Sequence, residues 1–113
     1  MRNVGEYEVF KKSHQMVLEI YGLTKTFPSG ELYGLVSQMR RAAYSIPMNM
    51  KEGSCGTEAE FFRYVRIALG SKEELQYQLV LARDLNYIPE DHWNRLNQEI
   101  EEIGKMLYGI LKK

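Results

Sequence analysis

The sequence is poor in the residues that usually announce chemistry. It holds one cysteine, Cys55, in 113 residues, which excludes an internal disulfide framework and suits a reducing cytoplasm. It holds two histidines, His14 and His92, and neither has an acidic residue three positions before it. The Glu-x-x-His pairing of metal-binding bundles is therefore missing, as is any zinc-type spacing. No uncharged run approaches the roughly 18 residues a membrane span needs. The start, Met1-Arg2-Asn3-Val4-Gly5-Glu6, lacks the apolar stretch of a signal peptide, so neither export nor membrane insertion is expected. Charge of one sign is not in excess either: 15 Lys and Arg face 15 Asp and Glu. Whole-protein charge thus points to no partner, and only its distribution can. No nucleophile–base or metal constellation stands out. We expect no enzyme, no metal and no cofactor.

What is present is helical periodicity, four times over, with no run alternating cleanly enough for a strand. It predicts an all-α, up-down antiparallel four-helix bundle in a single domain, residues 1–113. The first helix covers 7–26, with Val9, Phe10, Met16, Val17, Ile20, Tyr21 and Leu23 mostly three or four apart. It ends at Phe27-Pro28-Ser29-Gly30, where Pro28 biases Phe27 away from helical geometry. The second covers 31–53 on a stripe of Leu32, Leu35, Met39, Ala42, Ile46 and Met50. Pro47 lies inside it; the stripe continues in phase, so a kink is expected rather than a break. The third, 57–86, opens with Thr57-Glu58-Ala59-Glu60, a capping box. Its apolar face is Phe61, Val65, Ala68, Leu69, Leu75, Leu79, Ala82 and Leu85. Gly70 in mid-helix costs about 1 kcal/mol against alanine, and close helix packing would explain it. The fourth, 89–111, begins at Pro89 with Glu90 and Asp91 in its first turn, and buries Trp93, Leu96, Ile100, Ile103, Leu107 and Ile110. Apolar or small residues beyond these stripes (Tyr33, Val36 and Ala43; Phe62, Tyr64, Ile67 and Val80) suggest a second contact surface, most simply self-association.

Charge distribution is more informative than charge. Arg40, Arg41, Lys51, Arg63, Arg66 and Lys72 cluster on the second and third helices, against Glu52, Glu58 and Glu60. The fourth helix is acidic instead. An arginine-rich cluster near Tyr44 and Tyr64 suits phosphate contact and base stacking; solvated faces or ion pairs between helices are the plainer explanation, since net charge is zero. Gly53-Ser54-Cys55-Gly56-Thr57 superficially resembles a phosphate loop, but it lacks the lysine and the preceding strand, and Glu58 and Glu60 oppose an anion there. Cys55 has no visible activating base.

A polar stripe runs beside the apolar one. Gln38, Arg41, Ser45, Asn49 and Glu52 are spaced three, four, four and three, and Ser71 and Glu74 are three apart on the third helix. Buried polar groups must be paired, so these seven are candidates for a structural network in which Arg41 pairs with Glu52 or Glu74.

Three blocks resemble a known family. They are Glu31 to Gly53, containing Arg40-Arg41-Ala42-Ala43-Tyr44-Ser45-Ile46-Pro47; Phe62 to Leu75, containing Gly70-Ser71-Lys72-Glu73-Glu74; and Leu81-Ala82-Arg83-Asp84-Leu85-Asn86-Tyr87. Together they resemble four-helix-bundle proteins encoded in intervening sequences of bacterial 23S ribosomal RNA genes, to which accessory proteins of diversity-generating retroelements are related. The resemblance runs from about Ile20 to Leu107. It implies a ring-like homopentamer with a basic surface for RNA or DNA, and no enzymatic activity. Where the family often has an arginine after the Glu-Gly of the second helix, this chain has Ser54-Cys55-Gly56-Thr57. That shifts the expected contact to Arg40, Lys51, Arg63 and Arg66. The alternative is an adaptor that binds a protein partner through its surplus apolar surface, without nucleic-acid affinity.

Overall fold

A computed structural model describes residues 2–113. A short 3₁₀ turn, Val4–Glu6, leads into α1 (Glu8–Thr24), α2 (Ser37–Gly53), α3 (Glu58–Asp84) and α4 (Glu90–Leu111). No strand occurs among the described residues. Each helix packs on the next, and α1 closes the ring against α4, which is the up-down bundle the periodicity predicts. Extents of 43 × 25 × 19 Å fit a body about as long as α3, whose 27 residues span roughly 40 Å at 1.5 Å each.

The core is one continuous cluster. Met16, Ile20, Met39, Ile46, Met50, Phe61, Leu75, Leu79, Leu96, Ile100, Ile103 and Leu107 are all but completely buried. Three expected apolar positions are not: Tyr21, Leu32 and Leu85 lie exposed near the helix ends. Conversely Val36 and Ala43, read as surplus, are buried, because the apolar face of α2 is wider than a single stripe. Tyr33 and Ile67 do remain exposed.

The start of α2 is the main departure from the predicted helix. Ser29–Glu31 forms a 3₁₀ turn and Leu32–Val36 a wide π-type turn before α2 settles. Gly34 there leaves helical geometry, at φ −112° and ψ −109°. Pro47, by contrast, neither breaks α2 nor reaches solvent; the helix runs through it to Gly53.

The capping box at α3 forms as predicted. The Glu60 N–H donates to Thr57 Oγ1 at 3.2 Å and the Thr57 N–H donates to Glu60 Oε1 at 3.0 Å. These bonds hold the Glu60 carboxyl below its ordinary range. At the other end of α3, Asn86 takes the left-handed conformation (φ 65°), which asparagine tolerates well. The next residue joins two turns. Tyr87 packs its ring at a tilt against Phe27, centroids 5.1 Å apart, and its hydroxyl donates to Glu31 Oε2 at 2.7 Å. That bond is the first cause of a Tyr87 hydroxyl raised above its usual range.

The glycines invert the sequence expectation. Gly70 is exposed, and a Cβ there would meet nothing, so close packing is not its reason. The tight glycines are Gly53, where a Cβ would come within 2.7 Å of Tyr64 Cβ, and Gly104, where it would come within 2.8 Å of Lys72 Cε. The first sets the close approach of α2 to α3.

Candidate nucleic-acid interface

Antiparallel packing of α2 on α3, with Gly53 against Tyr64, brings Lys51 near the level of Arg63 and Arg66 at one end of the bundle. All three are exposed. Arg63 lies over its neighbour Tyr64 at 4.8 Å, so a guanidinium and an aromatic ring sit together at the surface. Arg41 is exposed further along α2.

What unites Arg41, Lys51, Arg63 and Arg66 is that none has a carboxylate within ion-pair distance among the described residues. Elsewhere the pairing is mixed: Lys25, Lys105, Lys112 and Lys113 also have no ion pair among the described residues, while several other cations do. Arg95 holds Glu19 at 2.9 Å and Glu99 at 3.1 Å, Lys12 holds Glu102 at 3.5 Å, and Arg2 holds Glu58 at 3.6 Å. Glu99 and Glu102 of α4 are thus engaged locally, and Glu101 accepts from Gln76 Nε2 on α3.

Two of the six candidate cations differ from the rest. Arg40 is half-buried and turned toward α1. Its Nε donates to Thr24 Oγ1 at 3.0 Å, and its guanidinium lies 4.6 Å over the Tyr21 ring. It fastens α2 to the C-terminal turn of α1 and offers solvent only one edge. Lys72 does not share the exposed face at all. It is 6% exposed, lies against Gly104 of α4 and pairs with Glu73 at 3.3 Å. Sequence spacing missed this because it cannot say which side of α3 faces α4.

The proposed polar network does not form. Arg41 has no ion pair with Glu52 or Glu74, and all three are exposed. Gln38 is exposed too, and Ser71 is half-buried on α3. The one bond within the stripe is local: Asn49 Nδ2 donates to the Ser45 carbonyl at 2.7 Å. The physical reason is register. The apolar face built on Met39, Ala42, Ile46 and Met50 turns inward, so the polar stripe rides the solvent edge of the α2–α3 contact. One group along that edge is buried without a partner, Gln78 Oε1.

The remaining sequence candidates are peripheral. Cys55 and His14 are exposed and His92 is half-buried. No group of three potential metal ligands occurs among the described residues, and no helix is long and apolar enough to cross a membrane. Trp93, the single tryptophan, lies under the Arg83 guanidinium at 4.2 Å, where α3 ends and α4 begins.

Comparison with known proteins matches this architecture to a family. The model of a family described as 23S rRNA-intervening sequence protein matches residues 5–109. A crystal structure of a protein with unknown function from the S23 ribosomal protein family, from Bacteroides thetaiotaomicron VPI-5482, is similar with a TM-score of 0.85 and 28% identity. The match covers 93% of this chain and 96% of that one. No curated protein matches the chain.

Proposed function

The chain belongs to the 23S rRNA-intervening sequence protein family, and on that premise we propose that it is a non-catalytic, cytoplasmic, oligomeric bundle that binds the backbone of RNA or DNA. The observation that carries this reading is the set of cations on α2 and α3 left without carboxylates: Arg41, Lys51, Arg63 and Arg66. An unpaired, exposed guanidinium is free to replace a phosphate counterion at little cost, and releasing counterions drives such binding. Arg63 beside Tyr64 adds a stacking surface for unpaired bases. Binding of this kind follows the backbone, with weak sequence preference and steep salt dependence.

The test is filter binding to mixed RNA and DNA over a range of salt. Changing Arg63 and Arg66 together to alanine should reduce the slope of log affinity against log salt by about one to two. An unchanged slope refutes the surface.

Oligomerisation rests on a second observation. The register of α2 on α3 brings Met48 and Ile67 to one level, and both are exposed, as are Tyr44 and Tyr77 on the same two helices. Further along α3, Gln78 Oε1 lies buried without a partner. Exposed apolar side chains and an unpaired amide suit a surface covered by another chain. The family resemblance favours a homopentamer, of the kind expected for the retroelement accessory proteins. The same surface supports the adaptor reading, in which the covering chain is a different protein. Light scattering on the purified chain decides: a monomer at all concentrations removes self-association and favours the adaptor.

A further inference from the structure

We propose that the groove between α3 and α4 is a binding site for a phosphate-type oxyanion, with the Lys72 ammonium at its floor and Lys105 and Lys112 on its rim. The groove holds about 400 Å³ and lies apart from the α2–α3 surface. Its floor is built for a lysine. The Lys72 side chain is 7% exposed and lies across α4 at Gly104, where any Cβ would strike its Cε at 2.8 Å and its Nζ at 3.1 Å. A mid-helix glycine weakens α4, and what it permits here is the seating of this one side chain.

A buried ammonium is costly unless its donors are met. Lys72 Nζ offers three donors and has one protein hydrogen bond, to Glu73 Oε1 at 3.3 Å. The Glu73 side chain is itself 70% exposed. The other acid of the groove, Glu101, accepts from Gln76, and that bond and the nearby charges of Lys72 and Lys105 hold its carboxyl below the ordinary range. Lys105 and Lys112 are exposed on the lining and have no ion pair among the described residues. Three ammonium groups therefore surround one space with two carboxylates, Glu73 and Glu101, and positive charge stays in excess there. An anion with several oxygens satisfies such a set at once, and lysine serves it as a point charge.

Two sources present that chemistry, a free phosphate compound and a strand backbone, and the experiment separates them. Pyrophosphate is titrated into the whole protein at constant ionic strength, with amide chemical shifts and thermal midpoint as readouts. The expected result is shifts centred on Lys72, Gly104 and Lys105, a rise in midpoint, and at least about tenfold weaker binding in the exposed double variant Lys105→Gln/Lys112→Gln. Gly104→Ala, which displaces Lys72, should weaken pyrophosphate likewise. No binding, shifts elsewhere, or unchanged affinity in the double variant overturns the site. A short single-stranded oligonucleotide is the second arm. Weakening of both ligands by the double variant supports the groove with a strand backbone as its source. Weakening of pyrophosphate alone supports it with a free phosphate compound. Neither outcome depends on Arg63 and Arg66, so failure of the α2–α3 reading and failure of this one are distinguishable.

Discussion

The α1–α4 seam and the α2–α3 seam handle charge in opposite ways. Across α1 and α4, Arg95 bridges Glu19 and Glu99, and Lys12 meets Glu102. Across α2 and α3, small residues draw the backbones together at Gly53, while Arg41, Lys51, Arg63 and Arg66 are left unpaired at the edge. The α1–α4 seam thus holds its charges in pairs, whereas the α2–α3 seam leaves these four cations, and Glu52 and Glu74 beside them, without ion-pair partners among the described residues. Pairing, more than the count of charges, decides what a surface offers a partner.

The difference can be broken or sharpened by substitution. Gly53→Ala should have the largest effect. Its Cβ would press on Tyr64 at 2.7 Å, and the strain should cost about 1–3 kcal/mol, read from urea denaturation. A neutral result would mean that α2 and α3 do not approach through this glycine. Gly70→Ala, on the open side of α3, should act in the opposite direction and stabilise by about 0.5–1 kcal/mol. A smaller effect separates the two charge regimes. Arg95→Gln should lose about 0.2–1 kcal/mol, diminishing with salt, whereas Arg63→Gln should stay within about 0.5 kcal/mol of wild type. Equal losses would erase the distinction.

The subtlest effect is in pH. Burial, then the neighbouring Glu19, raises the Glu99 carboxyl despite Arg95. A raised carboxyl favours the folded state as it is protonated. Its contribution therefore grows as pH falls through the raised value and is given back as pH rises. Glu60 and Glu101, held low by Thr57 and Gln76, run the other way: their contribution is present above the ordinary carboxyl range and lost as pH falls. In Glu99→Gln the side chain is neutral throughout. The stability of this variant relative to wild type should be greatest at neutral pH and shrink toward mildly acidic pH. A difference that grows instead would show that Arg95 dominates Glu99.

The four helices were legible because 3.6-residue periodicity records directly which residues face the core. Thr57 with Glu60 marked the start of α3 to within a residue. The start of α2 was not legible: Leu32 and Leu35 continue the stripe in phase across the wide turn. Nor was the role of Gly70 or Gly104, since a glycine's reason lies in what a neighbouring helix brings against it. The candidate cations were legible as a cluster in sequence. Their division was not: Arg40 turns to α1 and Lys72 to α4, which depends on how each helix rotates in the bundle. The polar stripe failed as a network for the same reason. Its spacing was right for one face of α2, and that face is the solvent edge. Tyr87 was visible only as part of a family-like block; its bond to Glu31 joins residues 56 positions apart, beyond the reach of any local pattern.

Trp93 carries a practical consequence. The chain has one indole, and it lies beneath Arg83 at the junction of α3 and α4. Arg63 and Arg66 stand near the opposite end of α3, roughly 25 Å or more away along the helix. Tryptophan emission, excited apart from the tyrosines, should therefore follow the melting of the bundle and remain blind to direct contact at those arginines. A change in emission when a ligand is added would signal that the distant turn itself has moved.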